Sequence, residues 1–218
     1  MESTDPTKPL QIDVFSDVVC PWCFLGQQRL DRVLESLDPP VPVQVTHRPF
    51  FLDPNTPPEG DDIPARLRRK YGVAPEQLWA RLEAEARKSD LDLDLSKQRF
   101  SYPTARAHTL IRHAAAKGTQ GALVRALYRA NFQEARNIHD PAVLADVAAP
   151  HGFTEAEVTR LTSDEGELAA TREEALAAAA AGIDGVPLFV FDERLSVAGA
   201  QQEIVLRGAI EQALTGIR

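Results

Sequence analysis

Hydrophobic and polar positions alternate at the start of the chain, with Leu10, Ile12 and Val14 set against Gln11 and Asp13. A period of two predicts a β-strand over about residues 10–16. The spacing then becomes helical over about 20–37, until Asp38-Pro39-Pro40 stops it. Val41, Val43 and Val45 alternate with Pro42, Gln44 and Thr46, which predicts a second strand to about Arg48. Pro42 suits a strand start or an edge. Strand, helix and strand in this order predict a right-handed parallel crossover.

Residues 49–62 hold four prolines and a glycine and read as a connecting loop. Helical patterns then dominate. A short basic helix is predicted over about 63–71, and Pro75 opens another to about Lys88. Leu91, Leu93 and Leu95 alternate with Asp92 and Asp94, either a short strand or an extended linker. Pro103 opens a helix with an apolar stripe at Ala107, Leu110, Ile111 and Ala114, closed by Gly118. The next helix covers about 120–135. Asp140-Pro141 caps a further one, Thr154 with Glu157 forms a capping box, and Asp164 starts an alanine-rich helix ending at Gly182.

Strand character returns at 186–191 and 195–198, close enough for a hairpin, although Asp192-Glu193 lacks the glycine a tight primed turn prefers. A last helix over about 201–214 carries Leu206, Ala209, Ile210 and Ala213 on one face. The class is α/β. The two ends, 10–60 and 183–218, make a βαβ…ββα sheet unit, and 61–182 makes an all-helical insertion. Residues 1–9 are polar and expected to be a disordered tail.

The chain has 218 residues, 24 of them basic and 32 acidic, for a net charge of -8. That balance sets aside wholesale binding to nucleic acid or to anionic membrane. Arg66, Arg68, Arg69 and Lys70 therefore read as a solvated helix face. The N-terminus has no apolar core of the kind a secretory leader needs, and no run is long enough to span a bilayer. A soluble, cytoplasmic protein is expected. In that reducing compartment a cysteine pair points to catalysis rather than to a structural staple.

Both cysteines lie in Cys20-Pro21-Trp22-Cys23, at the switch from strand to helix. If the helix begins near Cys20, then Cys23 sits one turn on, on the same face, within reach of a disulfide. Pro21 falls at the first helical position, where its missing N–H costs nothing. Cys20 is then the N-cap, and the positive end of the helix dipole favours its thiolate, the attacking form. Zinc is the alternative for such a pair, but it needs two more ligands. There is no second cysteine pair, and His47, His108, His113, His139 and His151 are scattered. No metal is expected.

With Gly185-Val186-Pro187-Leu188-Phe189-Val190 ahead of a hairpin and a last helix, the motif resembles the DsbA family of thioredoxin-fold oxidoreductases, in its FrnE-like branch. Arg48-Pro49-Phe50, Ala107-His108, Asn137-Ile138 and Gly199-Ala200-Gln201 add to the likeness, which extends from Leu10 onward. The resemblance implies a thioredoxin-like sheet unit with a large helical insertion. It also implies that Cys20 attacks and Cys23 is the buried resolving thiol. Pro187 would be cis against the dithiol, with the Val186 backbone open to an extended substrate and Pro21 and Trp22 shaping the site. Pro103-Thr104 and His47 stand where this branch leads one to expect asparagine-threonine and tryptophan.

The leading functional expectation is a thiol-disulfide oxidoreductase acting on protein or small-molecule thiols and disulfides, with glutathione a possible thiol substrate and no cofactor beyond the cysteine pair. The alternatives are a glutathione-dependent or non-redox isomerase or transferase of the same superfamily, and a chaperone-like binding module. His108, on an alanine-rich helix, reads as structural or solvent-facing rather than catalytic. Asp17 reads as a loop or capping residue, with proton acceptance from Cys23 as the other possibility.

Overall fold

In a computed structural model, which describes residues 9–39 and 41–215, β1 (Leu10–Ser16) is an inner strand of a four-stranded sheet. Apart from Pro9, the expected tail lies outside the described residues, as does Pro40. The helix α1 (Pro21–Glu35) follows, and β2 (Val43–Pro49) then pairs parallel with β1, Leu10 opposite Val43 through Ser16 opposite Pro49. Pro42 sits just ahead of this ladder, and its carbonyl accepts the Leu10 N–H.

The middle of the chain is helical as its patterns require, with one addition. β3 (Asp61–Asp62) pairs antiparallel with β4 (Phe100–Ser101), so a two-residue ladder closes the segment that holds α2 (Ile63–Tyr71) and α3 (Pro75–Arg87). Two-residue strands carry no readable period, so only the contact between distant segments reveals them. The leucines at 91, 93 and 95 are buried and the intervening aspartates exposed, but among the described residues no strand pairs with them. They form an extended linker, held in part by the Leu95 N–H donating to Glu83 Oε1 at 2.9 Å.

Next come α4 (Ala105–Ala116), α5 (Gln120–Phe132), α6 (Pro141–Ala148), α7 (Glu155–Ser163) and α8 (Glu165–Ala180). α4 starts two residues after Pro103, its first bond running from the His108 N–H to the Thr104 carbonyl. α5 stops short of 135 because Ala135 turns to a φ of 53° while the Arg136 N–H reaches back to the Ala130 carbonyl. The Thr154–Glu157 capping box and the Asp164 cap both form.

β5 (Leu188–Phe191) pairs antiparallel with β1, and β6 (Leu195–Ala198) with β5, giving the order β2-β1-β5-β6 before α9 (Glu203–Thr215). The hairpin turn holds Asp192 and Glu193 at φ of 48° and 57° without glycine. Left-handed backbone costs roughly 1–2 kcal/mol per residue. Tertiary bonds offset that cost, because Asp192 exchanges two hydrogen bonds with Gln11 of β1, backbone to backbone and Gln11 N–H to Asp192 Oδ1, each 2.9 Å.

One face of the sheet packs against α1 and α9 through residues such as Ile12, Phe189, Leu30, Leu206 and Ile210. On the other face Arg48 donates to Asp13 of β1 at 2.8 Å and to Glu174 of α8 at 3.3 Å. A second hydrophobic cluster runs from Cys20, Cys23 and Phe24 into the helices, through Leu110, Leu127 and Leu144. The buried Arg29 side chain links these regions. It donates to Ser89 Oγ at 2.8 Å and to the Ala200 carbonyl at 2.6 Å, and pairs with Glu85 at 3.3 Å. No helix among the described residues is long and apolar enough to cross a membrane.

Candidate functional site

The end of β1 delivers the cysteine motif through a tight turn, in which the Cys20 N–H donates to the Asp17 carbonyl at 2.9 Å. Cys20 occupies the N-cap of α1 in an extended conformation, and Pro21 opens the helix. The Cys23 and Phe24 N–H groups donate to the Cys20 carbonyl. This backbone geometry brings Cys20 and Cys23, both free thiols, to 3.2 Å. The Cys20 side chain makes no capping hydrogen bond. Its sulfur turns instead toward the Val186 carbonyl, 4.0 Å away. Trp22, between the thiols, is 36% exposed, whereas Cys20 is 4% and Cys23 1% exposed.

The Val186-Pro187 bond is cis. The β5 ladder begins only at Leu188, so Val186 lies ahead of it, facing the motif. A glycine inside α1 lets the two segments meet. A methyl group on Gly26 would lie 3.0 Å from Pro187 Cγ and 3.1 Å from Phe189 Cζ, inside normal contact distance. Gly26, three residues past Cys23, was missed in the sequence reading. Its signal was a glycine in the middle of an otherwise well-patterned helix.

Behind the motif the structure brings together two residues that the sequence reading kept apart. His108 is neither solvent-facing nor simply packed among alanines. It is buried, with Nε2 3.3 Å from Oδ1 of the equally buried Asp17 and Phe51 tilted against its ring. The other carboxyl oxygen of Asp17 accepts the Leu52 N–H at 2.9 Å. Burial pushes the Cys23 thiol well above its ordinary pKa, the hydrogen bond and charge of Cys20 push further, and the Asp17 charge adds to them. Tyr128 stacks on Phe24 and Phe132, and burial, then the charge of Cys23, raises its hydroxyl well above the phenol range. His47 is buried on β2, where desolvation, then the charges of Arg125 and His108, lower its pKa to about 3.

Beside Cys20 opens a cavity of about 660 Å³. Cys20, Pro21, Trp22 and Val186 line it, together with residues of α2 and α3. The basic run on α2 is therefore only partly the solvated face expected. Arg68 and Arg69 are exposed away from the cavity lining, but Arg66 and Lys70 line it.

A parallel βαβ start, an antiparallel hairpin, and a dithiol at a helix N-terminus against a cis-proline together define the class: a thioredoxin-like fold elaborated by helices. Within it, the chain belongs to the family of DSBA-like thioredoxin domains, whose pattern matches residues 11–211. Among solved structures the chain is similar to a probable DsbA oxidoreductase, SCO1869, from Streptomyces coelicolor, with 32% identity and a TM-score of 0.85 over 96% of this chain and 91% of that one. It is also similar to the cytosolic disulfide reductase DsbM from Pseudomonas aeruginosa, in a structure with GSH, with 19% identity and a TM-score of 0.64 over 94% and 99% of the two chains. A 2-hydroxychromene-2-carboxylate isomerase matches with 18% identity and a TM-score of 0.68, over 93% of this chain and 95% of that one. The last two likenesses concern the fold. No curated protein sequence matches the chain significantly.

Proposed function

We propose that the protein is a thiol-disulfide oxidoreductase in which Cys20 attacks and Cys23 resolves. The observation that carries this reading is the pair of free thiols 3.2 Å apart at the head of α1, against the cis Val186-Pro187 bond. Cys20, as thiolate, attacks one sulfur of a substrate disulfide; the substrate S–S bond breaks and one thiolate leaves. The Cys23 thiol must then lose its proton, and burial opposes that loss. The Asp17 carboxylate, held between the Leu52 N–H and His108, is the nearby base suited to accept it. Cys23 thiolate attacks the Cys20 sulfur of the mixed disulfide, the second substrate thiolate leaves, and a Cys20–Cys23 disulfide remains. Two electrons pass from the dithiol to the substrate, and an external thiol such as glutathione returns them. In the opposite direction a substrate thiolate attacks the enzyme disulfide.

A glutathione-linked role is supported by the glutathione in the structure of the P. aeruginosa reductase, and a cytosolic setting accords with that protein's. Retention of both thiols favours redox exchange over the chemistry of the isomerase relative. The test is turnover of a small or protein disulfide with trapping of intermediates. Cys20→Ser abolishes turnover, and Cys23→Ser accumulates a mixed disulfide visible by mass. Full activity of the Cys20→Ser variant refutes the scheme.

A further inference from the structure

We infer that Arg29 is a positioning residue for disulfide exchange: it holds the Val186-Pro187 segment against Cys20 by way of the loop after β6. The inference rests on the reading of Cys20 as the attacking thiol, with the Val186 backbone as the edge along which a substrate lies. Gly26 and Arg29 stand one turn apart on one face of α1. The glycine admits the Pro187 ring, and the arginine takes hold of the loop beyond, its Nη1 donating to the Ala200 carbonyl at 2.6 Å. Ala200 follows Gly199, whose N–H donates to the Pro187 carbonyl at 2.8 Å. Val186 lies ahead of the β5 ladder, and its carbonyl is 4.0 Å from the Cys20 sulfur. Val186 and Ala200 both pack against the hydrophobic cluster that contains the two thiols. A continuous series of contacts therefore joins the guanidinium to the attacking sulfur.

The remaining bonds of Arg29 fix it in place. Nε donates to Ser89 Oγ at 2.8 Å, just beyond α3, and Nη2 meets the carboxylate and the carbonyl of Glu85 at 3.3 and 3.4 Å. Burying a charge is costly, and well-packed apolar residues of similar volume often replace a buried ion pair with no loss of stability. An apolar side chain would fill the space between α1, α3 and the loop, but it would not hold a carbonyl at a fixed distance. Lysine keeps the charge and loses the planar fork that serves Ala200 and Ser89 in different directions. Fixed geometry matters here, because a displacement of ~1 Å caused far from the chemistry can slow a reaction ~100-fold.

The test compares two reactions of the Cys20 thiolate. In the first, a short extended peptide carries one cysteine joined by a disulfide to nitrothiobenzoate. Cys20 attacks the peptide sulfur, the bond to nitrothiobenzoate breaks, and the coloured thiolate leaves. In the second, iodoacetamide alkylates Cys20 and needs no edge to lie on. Arg29→Lys should slow the peptide reaction at least about tenfold and leave alkylation within about twofold. Arg29→Met/Glu85→Gln removes the pair together, strands no buried charge, and should show the same split. Thr171→Val breaks buried hydrogen bonds to Thr109 and Arg112, each 2.8 Å, and controls for general loosening; both rates should stay as they are. A peptide rate unchanged in either Arg29 variant, peptide and alkylation rates that fall together, or an equal fall in Thr171→Val each overturns the inference. A natural protein that is alkylated but never releases nitrothiobenzoate refutes the redox reading instead. The role of Arg29 is then judged by peptide affinity in the Cys20→Ser protein, which Arg29→Lys should weaken; an unmoved affinity overturns it.

Discussion

The closest packing at the site predicts opposite outcomes for one chemical change made in two helices. Gly26 in α1 and Gly208 in α9 are both helical glycines. Replacing a helix-interior glycine with alanine gains about 1 kcal/mol from backbone propensity. A methyl on Gly208 would meet nothing within 4 Å, so Gly208→Ala should realise that gain. At Gly26 the methyl would stand 3.0 Å from Pro187 Cγ and 3.1 Å from Phe189 Cζ, against an ordinary carbon–carbon separation of about 3.5–4.0 Å. The obstacle is a proline ring and a buried aromatic ring, neither of which can swing aside. Overpacking of this kind costs about 1–3 kcal/mol, so Gly26→Ala should lose about 0–2 kcal/mol net. The two variants should therefore differ by about 2 kcal/mol, or about 4–8 °C in Tm for a chain of this size. Urea unfolding of both, followed by fluorescence, measures the difference. Gly26→Ala should also slow disulfide exchange, because the proline ring it presses on directly follows Val186, whose carbonyl lies 4.0 Å from the Cys20 sulfur. If Gly26→Ala stabilises as much as Gly208→Ala and exchange is unchanged, α1 does not press on Pro187 in the way described.

Three further outcomes follow from the buried polar groups. His47, with its pKa lowered to about 3 against about 6.5 unfolded, contributes stability that is complete above pH 6.5 and is lost as pH falls toward 3. Between pH 7 and pH 5 the loss is about 2 kcal/mol; urea midpoints should decline more steeply in the natural protein than in His47→Gln, and parallel declines would contradict the assignment. Arg29→Met strands the Ala200 carbonyl and Ser89 while Glu85 keeps Lys88 at 2.6 Å, so a loss of about 2–4 kcal/mol is expected in equilibrium unfolding. Asp17→Asn should slow resolution of the mixed disulfide about a hundredfold, the lower end of general base catalysis, with a changed pH profile in rapid-quench measurements. His108→Phe, acting through Asp17, should alter that profile less, and identical profiles in all three proteins would remove both residues from the proton path.

The elements were legible in the sequence wherever the pattern is local and repeated. β1 and β2 showed through alternation, the helices through their stripes, and the starts of α6, α7 and α8 through Asp140, Thr154 and Asp164, whose caps act within three residues. Cys20 and Cys23 were legible for the same reason: the chemistry of a cysteine pair is set by a spacing inside one helical turn. Pro187 could be read only by resemblance, because its place beside the thiols depends on a pairing of β1 with β5 across most of the chain. The β3–β4 ladder, the 3.3 Å contact of Asp17 with His108, and the fit of Gly26 under Pro187 left no local period at all. The α2 stripe at Ile63, Leu67 and Tyr71 marked the sequence-level limit most plainly. Periodicity reports that one face of a helix is apolar, but only the packing of the whole chain decides whether that face meets a core or, as here, a cavity beside a thiol.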